Sequence, residues 1–390
     1  MTTTLRKRLA VAAGVAALLA ANAATAVARP AGPSPAERLR RDTEAIHALG
    51  ISGVQARMVT PDGRQSVATS GTADLDTGLP VPADGYFRMA STSKTLIATV
   101  VLQLEAEGRL SLRDTVERWL PGTVHGEHHD GRRITVRDLL QHTGGLTDDG
   151  MPGYTTPEEY PEQRDDLHSD RELVELAMAY PAPKEKWRYS NTGYVLLGMI
   201  IQQVTGRPAH REVEDRVLRP LGLDRTRWTG ASPTLPQPHA RAYQYFGPEA
   251  RVDVTEQIPV GHENLSWVTT TRDENTLFRA LLGGRLLPAR QLAAMKRTVP
   301  VSAAAQKFWP RGRYGLGLVE RPLTCGGTYW SHEGGDGGYI TLNGVTEDGR
   351  RSVVVSMSEA RGDSEAHVLA QVQAAGDLVD HALCAGGGGR

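Results

Sequence analysis

Residues 95–104 read Thr-Leu-Ile-Ala-Thr-Val-Val-Leu-Gln-Leu, and the residue directly before them is a lysine. A run with so little polarity offers no face to water, so it is expected as a helix buried in a core, reaching Glu107. Lys94 then stands at the mouth of a buried helix. Ser91 lies three residues earlier, on the same helical face, so the Lys94 ammonium can reach its hydroxyl. Desolvation and the helix macrodipole both disfavour a cation there, which lowers the lysine pKa and makes it a candidate base for activating serine. The chain has lysines at 7, 94, 184, 186, 296 and 307, and only Lys94 has a serine three residues before it. Taken alone, four residues also fit a surface serine and lysine spaced by chance.

The 390 residues suffice for one large domain or two lobes. Apolar residues make up 39% and charged residues 23%, ordinary globular values, while aromatics are only 5%, so the core must rest on Ala, Val and Leu. Helices are expected over 36–49, 96–107, 136–141, 171–178, 194–205, 273–282, 289–296 and 365–383. Strands are expected over 54–59 and 64–68, joined by the Pro61-Asp-Gly turn, and over 315–319, 328–330, 339–343 and 352–358. Strands at both ends of the chain and helices between them imply an α+β fold. Residues 37–88 and 300–385 form the α+β lobe, an antiparallel sheet flanked by terminal helices, and residues 89–299 an all-α, or mainly helical, lobe.

The first 28 residues have the plan of a secretory signal: Arg6-Lys7-Arg8, an apolar stretch from Leu9 to Ala20, then cleavage sites after Ala26 or Ala28. The apolar stretch is short of the ~20 residues a membrane span needs. Export is therefore expected, with a Pro-rich linker over 29–36, a flexible tail over 386–390 and no stable membrane anchor. Without the three leader cations, 44 basic residues become 41 against 45 acidic, a net −4. With no basic patch interleaved with aromatics, nucleic acid is excluded as a partner. The two cysteines, Cys325 and Cys384, fit one disulfide in an exported chain or a pair of free thiols.

Nucleophilic serine chemistry needs a base, a proton donor for the leaving group and an oxyanion hole. Tyr189-Ser-Asn191, just before an apolar helix, can supply a proton donor and an amide that holds a substrate amide. His332-Glu-Gly-Gly335, on a glycine-rich strand edge, lets a substrate backbone approach closely. In the order Ser-x-x-Lys, Tyr-x-Asn, His-x-Gly the chain resembles the serine penicillin-binding protein and class C β-lactamase superfamily. Within it, the likeness is greatest to secreted actinobacterial D-alanyl-D-alanine carboxypeptidases. Phe87–Lys94, Leu102–Leu110, Ile134–Leu146, Tyr189–Gly198, Pro220–Leu223 and Tyr314–Leu318 extend the likeness over residues 37 to 385, and cysteines at 325 and 384 fit it too.

The resemblance implies a monomeric hydrolase with its site between the two lobes. Ser91 forms an acyl-enzyme, and Lys94 and Tyr189 handle its protons, with the first base left open between them. Asn191 holds a substrate amide, His332 lines the cavity and tunes Tyr189, and the N–H groups of Ser91 and Gly335 hold the oxyanion. The substrate is a small peptide, amide, ester or β-lactam, and no metal or cofactor is required. A D-Ala-D-Ala carboxypeptidase-like activity leads, followed by D-aminopeptidase, amidase or esterase, and then β-lactamase. A non-catalytic penicillin-binding or peptide-sensing protein has no need of all four of Ser91, Lys94, Tyr189 and His332.

Two positions depart from the carboxypeptidase pattern. Glu333 stands where a hydroxyl helps bind a substrate carboxylate, and Val319 where an arginine binds the same group; Arg321 is a possible substitute. Asp148, Asp149, Glu158, Glu159, Glu162, Asp165 and Asp166 follow in an acidic insertion that is either a solvated loop or a cavity rim. If Glu333 and the insertion face the cavity, they favour a cationic or neutral substrate. His125-Gly-Glu-His-His-Asp130 has metal-ligand residue types but reads as a solvated loop. His142 reads as a structural residue at a helix end, and the absence of Gly-x-Ser-x-Gly argues against an α/β-hydrolase.

Overall fold

The computed structural model describes residues 33–385, apart from 249 and 262. The leader, residues 29–32 of the linker and the tail over 386–390 lie outside the described residues. From Pro35 onward the chain is one compact unit. The expected linker ends two residues early, because Pro35 and Ala36 already belong to helix α1 (Pro35–His47). Proline costs nothing at a helix start, where its missing N–H has no partner to lose.

The Pro61-Asp-Gly turn joins β1 (Gly53–Val59) to β2 (Gln65–Gly71), and Gly63 takes the left-handed φ of +83° that the turn demands. The other strands of this sheet come from the second half of the chain. They are β3 (Val299–Pro300), β4 (Arg313–Tyr314), β5 (Val319–Pro322), β6 (Thr328–Ser331), β7 (Gly334–Asp336), β8 (Tyr339–Thr346) and β9 (Ser352–Met357). Among the described residues they form a nine-stranded antiparallel sheet in the order β2-β1-β9-β8-β6-β5-β4-β3, with β7 paired to β8. The sheet thus joins strands from the chain's two ends.

Seven further helices matter here: α2 (Lys94–Ala106), α3 (Val136–Gln141), α4 (Asp170–Met178), α5 (Asn191–Thr205), α6 (Thr271–Leu282), α7 (Ala289–Met295) and α8 (Glu365–Cys384). One core lies between the sheet and the terminal helices, where Leu39 and Ile46 of α1 and Leu378 and Val379 of α8 meet Val54, Val353 and Val355. The larger core surrounds α2, whose residues 94–102 and 104 are all buried. At roughly 25 cal/mol per Å² of apolar surface removed from water, this all-round burial anchors α2 firmly. The disulfide forms: Cys384, the last residue of α8, is bonded to Cys325 in the β5–β6 loop, with Cα atoms 5.8 Å apart.

Two expectations need correction. The stretch 315–318 is not a strand but the turn between β4 and β5, and of the expected strand only Val319 is in one, as the first residue of β5. Gly315 N–H closes it onto the Leu318 carbonyl, and Gly317, at φ +78°, packs so close to Ala98 of α2 that a side chain would collide. The helical half is also not purely α. It contributes to two small sheets, one of Phe87–Arg88, Arg227–Trp228 and Trp267–Thr269, the other of Tyr243–Tyr245, Arg251–Asp253 and Glu359–Ala360. Strands of two or three residues are too short for alternation to show in sequence.

Candidate active site

Ser91 sits in a 3₁₀ turn (Ala90–Ser93) that leads directly into α2. Ala90, just before it, holds φ at +50°, a left-handed conformation that costs an alanine of order 1–3 kcal/mol. The surrounding contacts enforce it. Thr92 Oγ1 donates to the His332 carbonyl at 3.0 Å and Thr95 Oγ1 to the Gly317 carbonyl at 2.8 Å, fastening the turn to the sheet.

Lys94 is 1% exposed and donates from Nζ to Ser91 Oγ at 3.1 Å and to Asn191 Oδ1 at 2.7 Å. Its Nζ also lies 5.0 Å from the centre of the Tyr189 ring. Burial brings its pKa down to about 7, with the Asp148 carboxylate opposing the fall. Asn191 opens α5, and its orientation is set by how that helix start is satisfied. Asp148 accepts the N–H groups of Asn191 (2.7 Å) and Thr192 (3.0 Å), and the Ser190 hydroxyl accepts that of Gly193 (3.1 Å).

Tyr189 precedes that cap. Burial raises its pKa far above the usual phenol value, and nearby Ser91 offsets part of the rise. Its hydroxyl is buried without a hydrogen-bond partner among the described residues, so it remains a proton carrier with an unused bond. Its ring rests on His142, with centroids 4.3 Å apart and planes tilted by 36°. His142 ends α3 at φ +60° and accepts the Ser190 N–H at Nδ1, so it is the helix-end residue expected and also the floor under Tyr189.

His332 is placed differently from expectation. It is fully buried and lines none of the cavities around Ser91. Nδ1 donates to the Glu333 carbonyl at 2.9 Å, which leaves Nε2 to accept from the Tyr314 hydroxyl at 2.9 Å. Burial, then the Lys94 charge, lowers its pKa to about 3. The ring is therefore neutral and lies behind Tyr189, 6.3 Å between centroids. Its backbone is the part nearer the nucleophile. Gly334 follows on β7, where a Cβ would run into the Met89 carbonyl and crowd Thr92 Oγ1. Only glycine lets this strand edge lie against the serine turn. Gly335 borders the cavities on both sides of Ser91.

Glu333 is not a loose anion. It accepts from Arg321 Nη1 at 3.0 Å and from Trp309 Nε1 at 2.8 Å. Burial pushes its pKa up, and Arg321 counters this most. Arg321 is thereby removed as the expected substitute for a carboxylate-binding arginine. Val319 is fully buried beside Trp187 and Tyr314. The acidic insertion divides. Asp148 is the helix cap, Asp149 pairs with Arg188 at 3.1 Å, Glu159 holds the Thr155 N–H at 2.7 Å, and Glu158, Glu162, Asp165 and Asp166 are exposed. Only Asp166 among the seven lines a cavity near the site. The His125–Asp130 loop borders a separate polar cavity, and among the described residues no cluster of His, Cys, Asp and Glu is arranged to hold a metal.

Two clefts meet at Ser91 and Gly335. One, of about 190 Å³, is bordered by Lys94, Asn191, Met151, Val260 and Asp336, and shares Val260, Gly335 and Asp336 with a further cavity of about 430 Å³. The other, of about 540 Å³, is lined by Trp187, Tyr189, Phe308, Trp309, Leu342 and Val372. Asp148, His142, Tyr314 and Asp336 were not singled out for the site from sequence. Asp148 stood in the acidic run and His142 at a helix end, but what they touch is a property of the fold.

The Beta-lactamase family model matches residues 36–377. Penicillin-binding protein 4 of Amycolatopsis lactamdurans is 31% identical over 303 residues, 73% of this chain and 75% of that protein. The matches to the first curated relatives span 34–61% of their lengths. A D-stereospecific amidohydrolase from Streptomyces sp. has a similar structure, with TM-score 0.77 and 36% identity over 86% of this chain and 97% of the other. The D-amino acid amidase of Ochrobactrum anthropi SV3, complexed with D-phenylalanine, gives a TM-score of 0.75 at 27% identity, covering 89% and 97%. The chain thus belongs to the Beta-lactamase family, within the serine penicillin-binding protein and β-lactamase superfamily.

Proposed function

We propose that this protein is an acyl-enzyme amidohydrolase acting on amides and short peptides of D-amino acids. The observation that carries this reading is the commitment of its cations. A carboxypeptidase must hold a substrate carboxylate, and Arg321, the residue in reach of that role, is bound to Glu333. The arginines bordering the clefts are paired as well, Arg188 with Asp149 and Arg164 with Asp165. A substrate carboxylate would find no free cation there, at an unfavourable cost in so sheltered a site. An amide or peptide N-terminus makes no such demand. The two similar structures named for D-stereospecific amidohydrolysis and D-amino acid amidase activity support the same reading.

In this mechanism neutral Lys94 takes the Ser91 proton as Oγ attacks the amide carbonyl. The N–H groups of Ser91 and Gly335 hold the developing oxyanion. Tyr189, protonated at neutral pH, gives its proton to the departing nitrogen and recovers one from Lys94. The C–N bond breaks and the acyl ester remains on Ser91. Water then attacks that ester by the same proton route, releasing the D-amino acid and restoring the serine. The leader over residues 1–28 puts this chemistry outside the cell.

The test offers the mature protein D-phenylalanine amide, L-phenylalanine amide, an N-acylated D-Ala-D-Ala peptide and a fluorescent penicillin, with mass spectrometry of the Ser91 peptide. Turnover of the D-amide in preference to the others is expected. Faster turnover of the D-Ala-D-Ala peptide would return the protein to the carboxypeptidases, and no adduct with no turnover would remove the enzyme reading.

A further inference from the structure

With Glu333 neutralised by Arg321, the carboxylate that borders the 190 Å³ cleft is Asp336, at the end of β7. It is half-buried and borders both the 190 Å³ cleft that contains Ser91, Lys94 and Asn191 and the 430 Å³ cavity that shares lining residues with it. Its orientation is fixed: Oδ1 accepts from Gln257 Nε2 at 2.7 Å, and Gln257 Oε1 in turn accepts from the Tyr154 hydroxyl. Gly337, at φ +51°, leaves the space into which Gln257 packs. Asp336 forms no ion pair among the described residues. Arg88, whose field reaches it, is 2% exposed, gives Nη2 to the carbonyls of Pro233, Thr255 and Gln257, and borders neither cavity.

We propose that Asp336 is the specificity residue that binds the free α-ammonium of the substrate's acyl residue, which makes this enzyme selective for substrates with an unblocked amino terminus. A sheltered carboxylate without a counter-ion is an unsatisfied charge, and an ammonium supplies both the opposite charge and hydrogen-bond donors. Burial raises the Asp336 pKa, consistent with a group that gains from a cationic ligand. The neighbouring cleft lined by Trp187, Phe308 and Trp309 lacks any unpaired charge and suits the apolar part of the substrate.

The proposal rests on the amidohydrolase reading for its natural substrate, so its test uses activated esters, which any acylating serine of this site can attack. The p-nitrophenyl ester of D-phenylalanine is compared with that of 3-phenylpropionic acid, which differs only in lacking the amine. The unmodified enzyme is expected to prefer the amine-bearing ester, and Asp336→Asn, which keeps an acceptor for Gln257, to lower that preference about 10- to 100-fold, the worth of one charge-assisted hydrogen bond. No preference in the unmodified enzyme, or the same preference in the variant, overturns the assignment. A measurement without mutation stands beside it: 1-phenylethylammonium should inhibit hydrolysis of the amine-free ester, and its N-acetyl derivative should not. Equal inhibition by both is a second way to overturn it. If the ester preference obeys Asp336 but D-phenylalanine amide is not hydrolysed, the amidohydrolase reading falls and the ammonium site stands.

Discussion

At the scale of single residues, the catalytic pair is separated by what burial does to opposite charge types. The same desolvation lowers a lysine and raises a tyrosine. Lys94 falls to about 7 and can be neutral at working pH, while Tyr189 is raised and stays protonated. In the proposed mechanism this gives Lys94 the part of first base and Tyr189 that of proton donor, which sequence left open. As the neutral amine is the active form, kcat/KM is expected to rise with pH through about 7 and level off above it. Lys94→Arg, permanently charged, should lose this limb and fall by at least about 100-fold; a surviving inflection near 7 would assign the base elsewhere. Glu333→Thr should free Arg321 and confer turnover of peptides ending in a D-residue carboxylate. Steady-state assays of the variant against D-Ala-D-Ala peptides decide this, and an unchanged rate would show that the Glu333–Arg321 pair does not govern substrate choice. The residue types at 91, 94, 189 and 191 were legible as chemistry, whereas the Glu333–Arg321–Trp309 contact was not, because it joins three loops and strands.

At the scale of elements, the site is a junction of three segment starts: the turn entering α2, the cap of α5 and the strand β7. Long apolar runs declared both helices, since periodicity over ten or more residues is a strong signal. The junction was less legible. Residues 315–319 look strand-like for their Leu and Val content, yet Gly317 bends the chain past Ala98 so that the β4–β5 turn can accept the Thr95 hydroxyl. Gly334 answers the same need for close approach. Gly334→Ala is expected to push β7 off the serine turn and cut the acylation rate of Ser91 by at least about tenfold, since a misplacement near 1 Å can cost 100-fold. Stopped-flow acylation measures it. An unchanged rate would mean that the edge strand has more freedom than its contact with Met89 implies.

At the scale of the whole molecule, buried charge makes stability depend on pH. Glu274 of α6 is fully buried, with one oxygen accepting from Asn343 Nδ2 at 2.6 Å and the other without a hydrogen-bond partner among the described residues. Burial raises its pKa from 4.5 to about 8. Between those values the folded state holds a proton that the unfolded chain has lost, so this contribution is complete below about 4.5 and is lost as pH rises through 8. Asp170, raised from 3.8 to about 8 by burial and then by Glu263, has the same sign. Lys94 has the opposite sign: lowered from 10.5 to about 7, it penalises the folded state most below 7 and progressively less up to about 10.5. Glu274→Gln, which keeps the acceptor for Asn343, should therefore flatten the fall in Tm between pH 5 and 8. A scan in which variant and parent fall equally would locate that slope in other groups.

Sequence by itself determined the α+β class, the discontinuous sheet, the long helices and the order of the reactive residues, because each of these is written in local periodicity, turn chemistry or motif spacing. Tertiary structure alone decided which charges are free. It buried His332 behind Tyr189, tied Glu333 to Arg321, used Asp148 to cap α5 and left Asp336 without an ion pair among the described residues, on the cleft that Ser91 also borders. Charge pairing in a cleft depends on distances between residues far apart in the chain, and no local pattern encodes them. That is why the candidate nucleophile could be read from the order of three short motifs, and the proposed charge of the substrate only from the folded site.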